Sequence, residues 1–344
     1  VHAVSAILRA PFPWFGGKRR VASVVWEAFG DVPNYVEPFA GSLAVLLGRP
    51  HEPRIETVND RDCYLANFWR ALQAEPEAVA RWADVPVNEA EIEARHHWLV
   101  AQGEFRERVM RDPHYYDTKI AGWWVYGLCG WIGAGWCAAA KDDPEAGNAG
   151  RGVHRQLPNL GDAGQGVHRQ LPNLGDAGRG LLRRRLHLGT AGRGDEPTPL
   201  SNYLGALAAR LRRVRVACGD WTRVLGNSCT WRHGTTGIFL DPPYDDGELD
   251  YAAGGRGISA HVRAWAIEHG DDPRLRIALC GYEGEHEMPS TWRVHAWKAH
   301  GGFGSQRRGD PNGNPYRERV WFSPGCLAPQ ERQTTIFDAH AGTV

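Results

Sequence analysis

The sequence carries one tetrapeptide whose residue types suit chemistry on an amine: Asp241-Pro242-Pro243-Tyr244, directly after the apolar run Gly237-Ile238-Phe239-Leu240. An apolar strand that ends in Asp puts a carboxylate at the carboxyl edge of a sheet, where open α/β sheets bind ligands. The two prolines stiffen the turn and lack N–H groups, so their carbonyls are free to face a substrate amine. An exocyclic amino group on a base fits this chemistry. Asp241 and the Pro242 carbonyl accept its two N–H bonds while Tyr244 stacks on the ring.

A second set of residues suits a nucleoside. Tyr35-Val36-Glu37-Pro38-Phe39-Ala40-Gly41-Ser42 reads as a strand, a small-residue turn and a helix start, a combination that lets backbone approach a ligand. Nineteen residues beyond Gly41 comes Asn59-Asp60. In nucleoside-binding α/β folds an acid at about that distance holds the ribose hydroxyls. A further acid, Asp220, follows the run ending at Ala217 and is placed to meet an adenine amino group. Gly16-Gly17-Lys18 is not a phosphate loop, because that motif needs Gly at Phe12 and Ser or Thr at Arg19. The histidines are scattered and suggest no metal cluster.

The elements that must position these residues alternate. β-rich runs occur at 35–36, 54–58, 214–217, 237–240, 276–279, 293–297 and 318–322, separated by helical stretches such as 43–47, 62–73 and 261–269. This rhythm predicts an α/β fold with a mostly parallel sheet covered on both faces. From about 75 to 212 it is interrupted, which predicts an inserted region. Within that region, 120–140 is uncharged and long enough to mimic a membrane span, but Gly at 122, 127, 130, 133 and 135 and Trp at its middle predict a buried or substrate-facing segment.

The 40 Lys and Arg balance 40 Asp and Glu, so a polyanion-binding surface has to be local. A 14-residue unit, GVHRQLPNLGDAG plus one residue, starts at Gly152 and Gly166 and recurs in decayed form at Gly180. Residues 151–193 hold eight Arg and two Asp. Their two readings are a tandem-duplicated flexible loop and a polyanion-contacting insert using Arg155, Arg169, Arg183, Arg184 and Arg185. Seven cysteines without a C-x-x-C pair fit reduced intracellular thiols, and the absence of an apolar leader segment fits a cytoplasmic protein.

Taken together, Phe12-Pro13-Trp14-Phe15-Gly16-Gly17-Lys18, Glu37-Pro38-Phe39-Ala40-Gly41-Ser42, Asp60, Asp220 and Asp241-Pro242-Pro243-Tyr244 resemble, in order, the motifs of S-adenosylmethionine-dependent DNA adenine-N6 methyltransferases of the DNA adenine methylase type, the D12 class. The resemblance implies a Rossmann-like methyltransferase domain over 1–74 and 213–325, an inserted target-recognition region at 75–212 and a tail at 326–344. It implies that Trp14, Gly17, Lys18, Glu37, Pro38, Phe39, Gly41 and Ser42 line the cofactor site, that Asp60 and Asp220 hold its ribose and adenine, and that Asp241, Pro242, Pro243 and Tyr244 act on the base. The partner implied is double-stranded DNA, whose target adenine is flipped out of the stack. Alternatives are a cytosine-N4 methyltransferase, a variant that usually carries Ser in place of the Asp, and a non-catalytic DNA-binding subunit. The repeats depart from the family's usual recognition hairpin, which leaves the target sequence open. In the tail, Gln333-Thr334-Thr335-Ile336-Phe337 resembles the short peptides that bind bacterial sliding clamps.

Overall fold

The computed structural model describes residues 8–14, 18–131, 136–137, 199–244, 257–297 and 318–328. Seven strands form one sheet: β1 (Asn34–Glu37), β2 (Ile55–Asp60), β3 (Arg215–Cys218), β4 (Thr236–Leu240), β5 (Leu275–Tyr282), β6 (Arg293–Ala296) and β7 (Glu318–Phe322). Their order across the sheet is β3-β2-β1-β4-β5-β7-β6. The first five run parallel, and β7 lies antiparallel between β5 and β6. The order reverses between β1 and β4, the switch point at which doubly wound sheets open a crevice beyond their carboxyl ends. This is a Rossmann-like, mostly parallel α/β sheet.

Burial explains the strand sequences. All five residues of β4 are buried, as an inner strand covered on both faces requires. Edge strand β6 instead alternates partly buried and exposed residues and carries Arg293 and His295, charged or polar groups that discourage edge-to-edge pairing. Two apolar cores lie on opposite faces of the sheet. Tyr35, Phe239, Ala278, Cys280, Val320 and Phe322 point into one core, and their neighbours Val36, Ile238, Leu240, Ile277, Leu279 and Trp321 into the other. The period of two along each strand separates the cores.

Helices α1 (Ala22–Phe29), α2 (Ala44–Leu47) and α3 (Cys63–Ala74) follow the N-terminal motifs. α3 starts where Asp62 accepts from the backbone N–H groups of Tyr64 and Leu65 at 2.8 and 3.3 Å, a cap that fixes the chain just beyond β2. The helices α4 (Pro76–Ala83), α5 (Glu89–Val100), α6 (Phe105–Arg111), α7 (Thr118–Gly130) and α8 (Pro199–Leu211) continue that layer, and Val79, Leu99, Val109, Trp124 and Leu204 on them join the same core as α3. The last described helix, α9 (Ile258–His269), covers the other face through Val262 and Ala266.

The uncharged stretch beginning at 120 is a core helix over its described part. α7 is 13 residues long, and Gly122 lies so close to α4 that a Cβ there would stand 2.3 Å from that of Trp82. The side chain of Asn67 on α3 exchanges two hydrogen bonds, at 2.9 and 2.7 Å, with the backbone of Asp117, the cap of α7. Among the described residues no helix is long and apolar enough to cross a membrane. On α8, Arg210 donates to both oxygens of the buried Glu56 on β2, at 2.7 and 2.9 Å, so the helix that closes the intervening region is latched to the sheet.

Candidate active site

Three strand ends are knitted together at the carboxyl edge of the sheet. Asn59, the penultimate residue of β2, is fully buried and donates from Nδ2 to the carbonyls of Pro38 and Gly219 at 3.1 and 3.0 Å. One amide thus ties the turn after β1 to the turn after β3. The next residue, Asp60, accepts from the backbone N–H groups of Gly41 and Asp62 at 3.0 and 2.9 Å. Burial pushes the Asp60 carboxyl up to about 6, against the pull of these bonds. Gly41 has φ +45°, and a Cβ on it would stand 2.6 Å from Nε1 of Trp14. Only glycine lets the turn adopt this conformation with the indole packed against it.

The remaining residues of the turn divide by role. Glu37 is 2% exposed and accepts from the Tyr35 hydroxyl at 2.9 Å. Burial drives its carboxyl well above the ordinary range, only partly offset by that bond. It lies beneath the turn, as does Pro38, whereas Phe39, Gly41 and Ser42 are partly exposed. Phe39 stacks on Trp221, with ring centroids 6.2 Å apart. Asp220, just before that Trp, is exposed and receives the N–H and hydroxyl of Thr222 on one oxygen, Oδ1, at 3.0 and 2.6 Å.

A second cluster lies beyond β4. Lys18 is 4% exposed, and its Nζ is 3.0 Å from Asp241 Oδ1 and 3.7 Å from Glu318 Oε2. The Tyr244 hydroxyl lies 3.0 Å from that same Asp241 oxygen and 3.1 Å from that same Glu318 oxygen. Two donors and two acceptors therefore close a ring. Burial opposes the Lys18 charge, but Asp241 and Glu318 outweigh it and hold the ammonium well above its ordinary value. Burial raises the Glu318 carboxyl; Lys18 counters this and Asp241 adds to it. Asp241 uses only Oδ1 in the ring. Its side chain is 21% exposed, and Oδ2 accepts no bond among the described residues. Tyr244 is 7% exposed, and its ring meets Tyr282 edge-on at 4.6 Å.

The positions anticipated from sequence thus fall into two groups. Trp14, Glu37, Pro38, Phe39, Gly41, Ser42, Asp60 and Asp220 surround the ends of β1 to β3. Lys18, expected beside the cofactor, is paired with Asp241. The turn Asp241 to Tyr244 holds together around that ion pair. Gly17, the five arginines from Arg155 to Arg185 and the segment Gln333 to Phe337 lie outside the described residues. Glu318 was missed. Its one sequence signal is an acid at the first position of a strand otherwise reading Arg-Val-Trp-Phe. No group of acidic, His or Cys side chains among the described residues is arranged to hold a metal ion.

Comparison with known proteins adds the chemistry. Residues 14–109 match the family described as D12 class N6 adenine-specific DNA methyltransferase. The matched span runs from Trp14 through the β1 turn and Asp60 into α6, and it agrees with the resemblance drawn from the motifs. Over this span the chain is similar to a family of site-specific adenine DNA methyltransferases, enzymes of DNA methylation. No curated protein matches the chain.

Proposed function

We propose that the protein transfers the methyl group of S-adenosylmethionine to the N6 amine of an adenine flipped out of double-stranded DNA. The observation that carries this reading is the fixed orientation of Asp241, with Oδ1 held by Lys18 and Tyr244 and Oδ2 left without a partner among the described residues. A carboxylate in that state is an acceptor aimed at an amine. Nothing in the ring competes with the substrate for the second oxygen.

The donor and acceptor set at the neighbouring strand ends fits the cofactor. Asp60 offers a carboxylate to ribose hydroxyls, Asp220 has a second oxygen for an adenine amine, and Phe39 and Trp221 present aromatic surface beside them. When bound, S-adenosylmethionine supplies an electrophilic methyl on a sulfonium, and transfer leaves a neutral thioether. The rest is done by the chain's own residues. The duplex hides the N6 amine, so the base leaves the stack at a cost of a few kcal/mol. Tyr244, its ring plane fixed by two hydroxyl contacts, is the stacking surface. Asp241 Oδ2 and the Pro242 carbonyl accept the two N–H bonds and hold the nitrogen lone pair out of conjugation with the ring. The amine forms its bond to the methyl carbon as the carbon–sulfur bond breaks. The nitrogen then gives up a proton to its nearest acceptor, Asp241 Oδ2. Catalysis on this account is positioning and electrostatics.

Residues 75–212 are assigned to target recognition, with the repeats from 152 as an arm whose arginines track phosphates. The test is methyl transfer from S-adenosylmethionine to unmodified duplex DNA, followed by digestion to nucleosides and mass spectrometry. N6-methyladenine is expected. N4-methylcytosine would move the assignment to the other exocyclic amine, and DNA binding without any methylated base would reduce the protein to a binding subunit.

A further inference from the structure

We infer that Glu318 is a positioning residue for methyl transfer: it anchors Lys18 and the Tyr244 hydroxyl so that Asp241 keeps Oδ2 turned toward the substrate amine. The inference rests on the methyltransferase reading and extends it to a residue 74 positions beyond Tyr244, on the antiparallel strand β7.

The argument begins with a proton count. The Tyr244 hydroxyl has one hydrogen and faces two carboxylate oxygens at 3.0 and 3.1 Å. It donates to one fully, or shares the proton between them. Lys18 faces the same two oxygens at 3.0 and 3.7 Å. If Asp241 were the sole acceptor, both donors would follow that carboxylate wherever it turned. With Glu318 as a second acceptor on a different strand, the donors have a fixed point behind them. Glu318 is 5% exposed and sits at the start of β7, where its register partner is Tyr282 of β5, the residue whose ring braces Tyr244. The anchor is therefore part of the sheet and does not belong to the Asp241–Tyr244 turn.

The count also explains how Asp241 meets a substrate without losing its place. Hydrogen bonding by the amine draws charge toward Oδ2 and weakens Oδ1 as an acceptor. Tyr244 and Lys18 then shift their bonds toward Glu318 Oε2, the oxygen both already face. Neither donor is orphaned, and the tyrosine ring does not turn. Among the described residues, the groups around Glu318 that bear or gain charge include Lys18, Asp241, Tyr244, Tyr282, the buried Cys280 and Arg319, which donates to the Glu318 carbonyl at 3.0 Å and pairs with Glu283.

The test combines truncation, conservative replacement and a double-mutant cycle. Glu318→Ala and Glu318→Met are made side by side, with thermal unfolding and S-adenosylmethionine affinity measured on each. Both are expected to lower kcat by about tenfold or more, with cofactor Kd and KM for DNA within about threefold. Glu318→Gln keeps an oxygen where both donors point and should recover at least half of the loss on a logarithmic scale. Tyr244→Phe removes the hydroxyl and leaves only Lys18 to be anchored, so adding Glu318→Ala to it should cost clearly less than the same change costs in the parent. Multiplying losses in the cycle, or near-normal kcat in a folded Glu318→Met enzyme, would overturn the inference. So would loss of the fold in both truncations beside a folded Gln variant, since Glu318 would then be structural. A parent enzyme unable to methylate DNA would instead sink the functional reading.

Discussion

Replacing Asp241 with Ala tests the proposed chemistry most directly. The substitution removes the acceptor for two donors, Lys18 Nζ at 3.0 Å and the Tyr244 hydroxyl at 3.0 Å, and with it the oxygen assigned to the substrate amine. Breaking a buried ion pair costs about 3–5 kcal/mol. Two features lower that figure here. The Asp241 side chain is 21% exposed, and Glu318 remains 3.7 Å from the lysine as a partial counter-charge. A loss of about 2 kcal/mol is the expected scale, or several degrees in Tm. The effect on turnover is larger. Losing one preorganised hydrogen-bonding group at a reacting centre costs about 10² to 10³ in kcat, and Asp241 both holds the amine and completes the ring around Lys18. A fall of about 10³-fold or more is expected. Cofactor affinity should change by no more than a few-fold, because Asp60, Asp220 and the Gly41 turn are untouched. Tritium transfer to unmodified duplex DNA under single-turnover conditions measures the first quantity, and calorimetric titration with S-adenosylmethionine the second. Turnover within tenfold of the parent would refute the assignment of Asp241 to the base.

Four further expectations concern Asp60, Gly41 and the repeats. Asp60, raised by burial from 3.8 to about 6, ionises as pH rises through that value, so cofactor affinity should strengthen between about pH 5 and 7, and Asp60→Asn should flatten the titration. The same shift makes the ligand-free protein lose stability as pH rises from the unfolded value near 3.8 through about 6, a loss that the Asn variant should lack in thermal melts. Gly41→Ala combines a positive φ with a Cβ 2.6 Å from the Trp14 indole; it should cost about 1–3 kcal/mol and weaken cofactor binding, as melts and titration would record. Removing one repeat, Gly166 to Arg179, should weaken DNA binding and reduce its salt dependence without lowering Tm, and an unchanged salt titration would leave the repeats as plain connection.

The sequence reveals the strands wherever burial is apolar, and blurs them where buried polar groups sit at their ends. β4 reads clearly because Gly237 to Leu240 is followed at once by Asp-Pro-Pro. β1 reads as only 35–36, because Asn34 and Glu37 look like loop residues. Both are buried: Asn34 donates to the Cys229 carbonyl and the Thr236 hydroxyl at 2.7 and 2.9 Å, and Glu37 is covered by Tyr35. The bonds of Asn34 come from residues distant in the chain, which no local pattern announces. The same limit applies within the site. The turns at Gly41 and Asp241 are local features with local signatures, so their residue types point to their neighbourhoods. The placement of Lys18 at Asp241, and of Glu318 beside both, depends on β7 lying between β5 and β6. Strand order is a property of the packed sheet, and nothing in the spacing of these three residues encodes it.

The position of β7 also sets when the site comes into being. It is the last of the seven strands along the chain, yet it lies inside the sheet, and β6 pairs with no other described strand. Synthesis proceeds from the N-terminus, and folding of a growing chain follows it. Lys18, the Gly41 turn and the Asp241 motif therefore all leave the ribosome before the strand that brings Glu318. A nascent or prematurely terminated polypeptide carries every sequence motif of the enzyme and lacks the closed ring around Asp241. On the proposed reading of Glu318, the ring that positions Asp241 therefore closes only in molecules whose translation has passed β7.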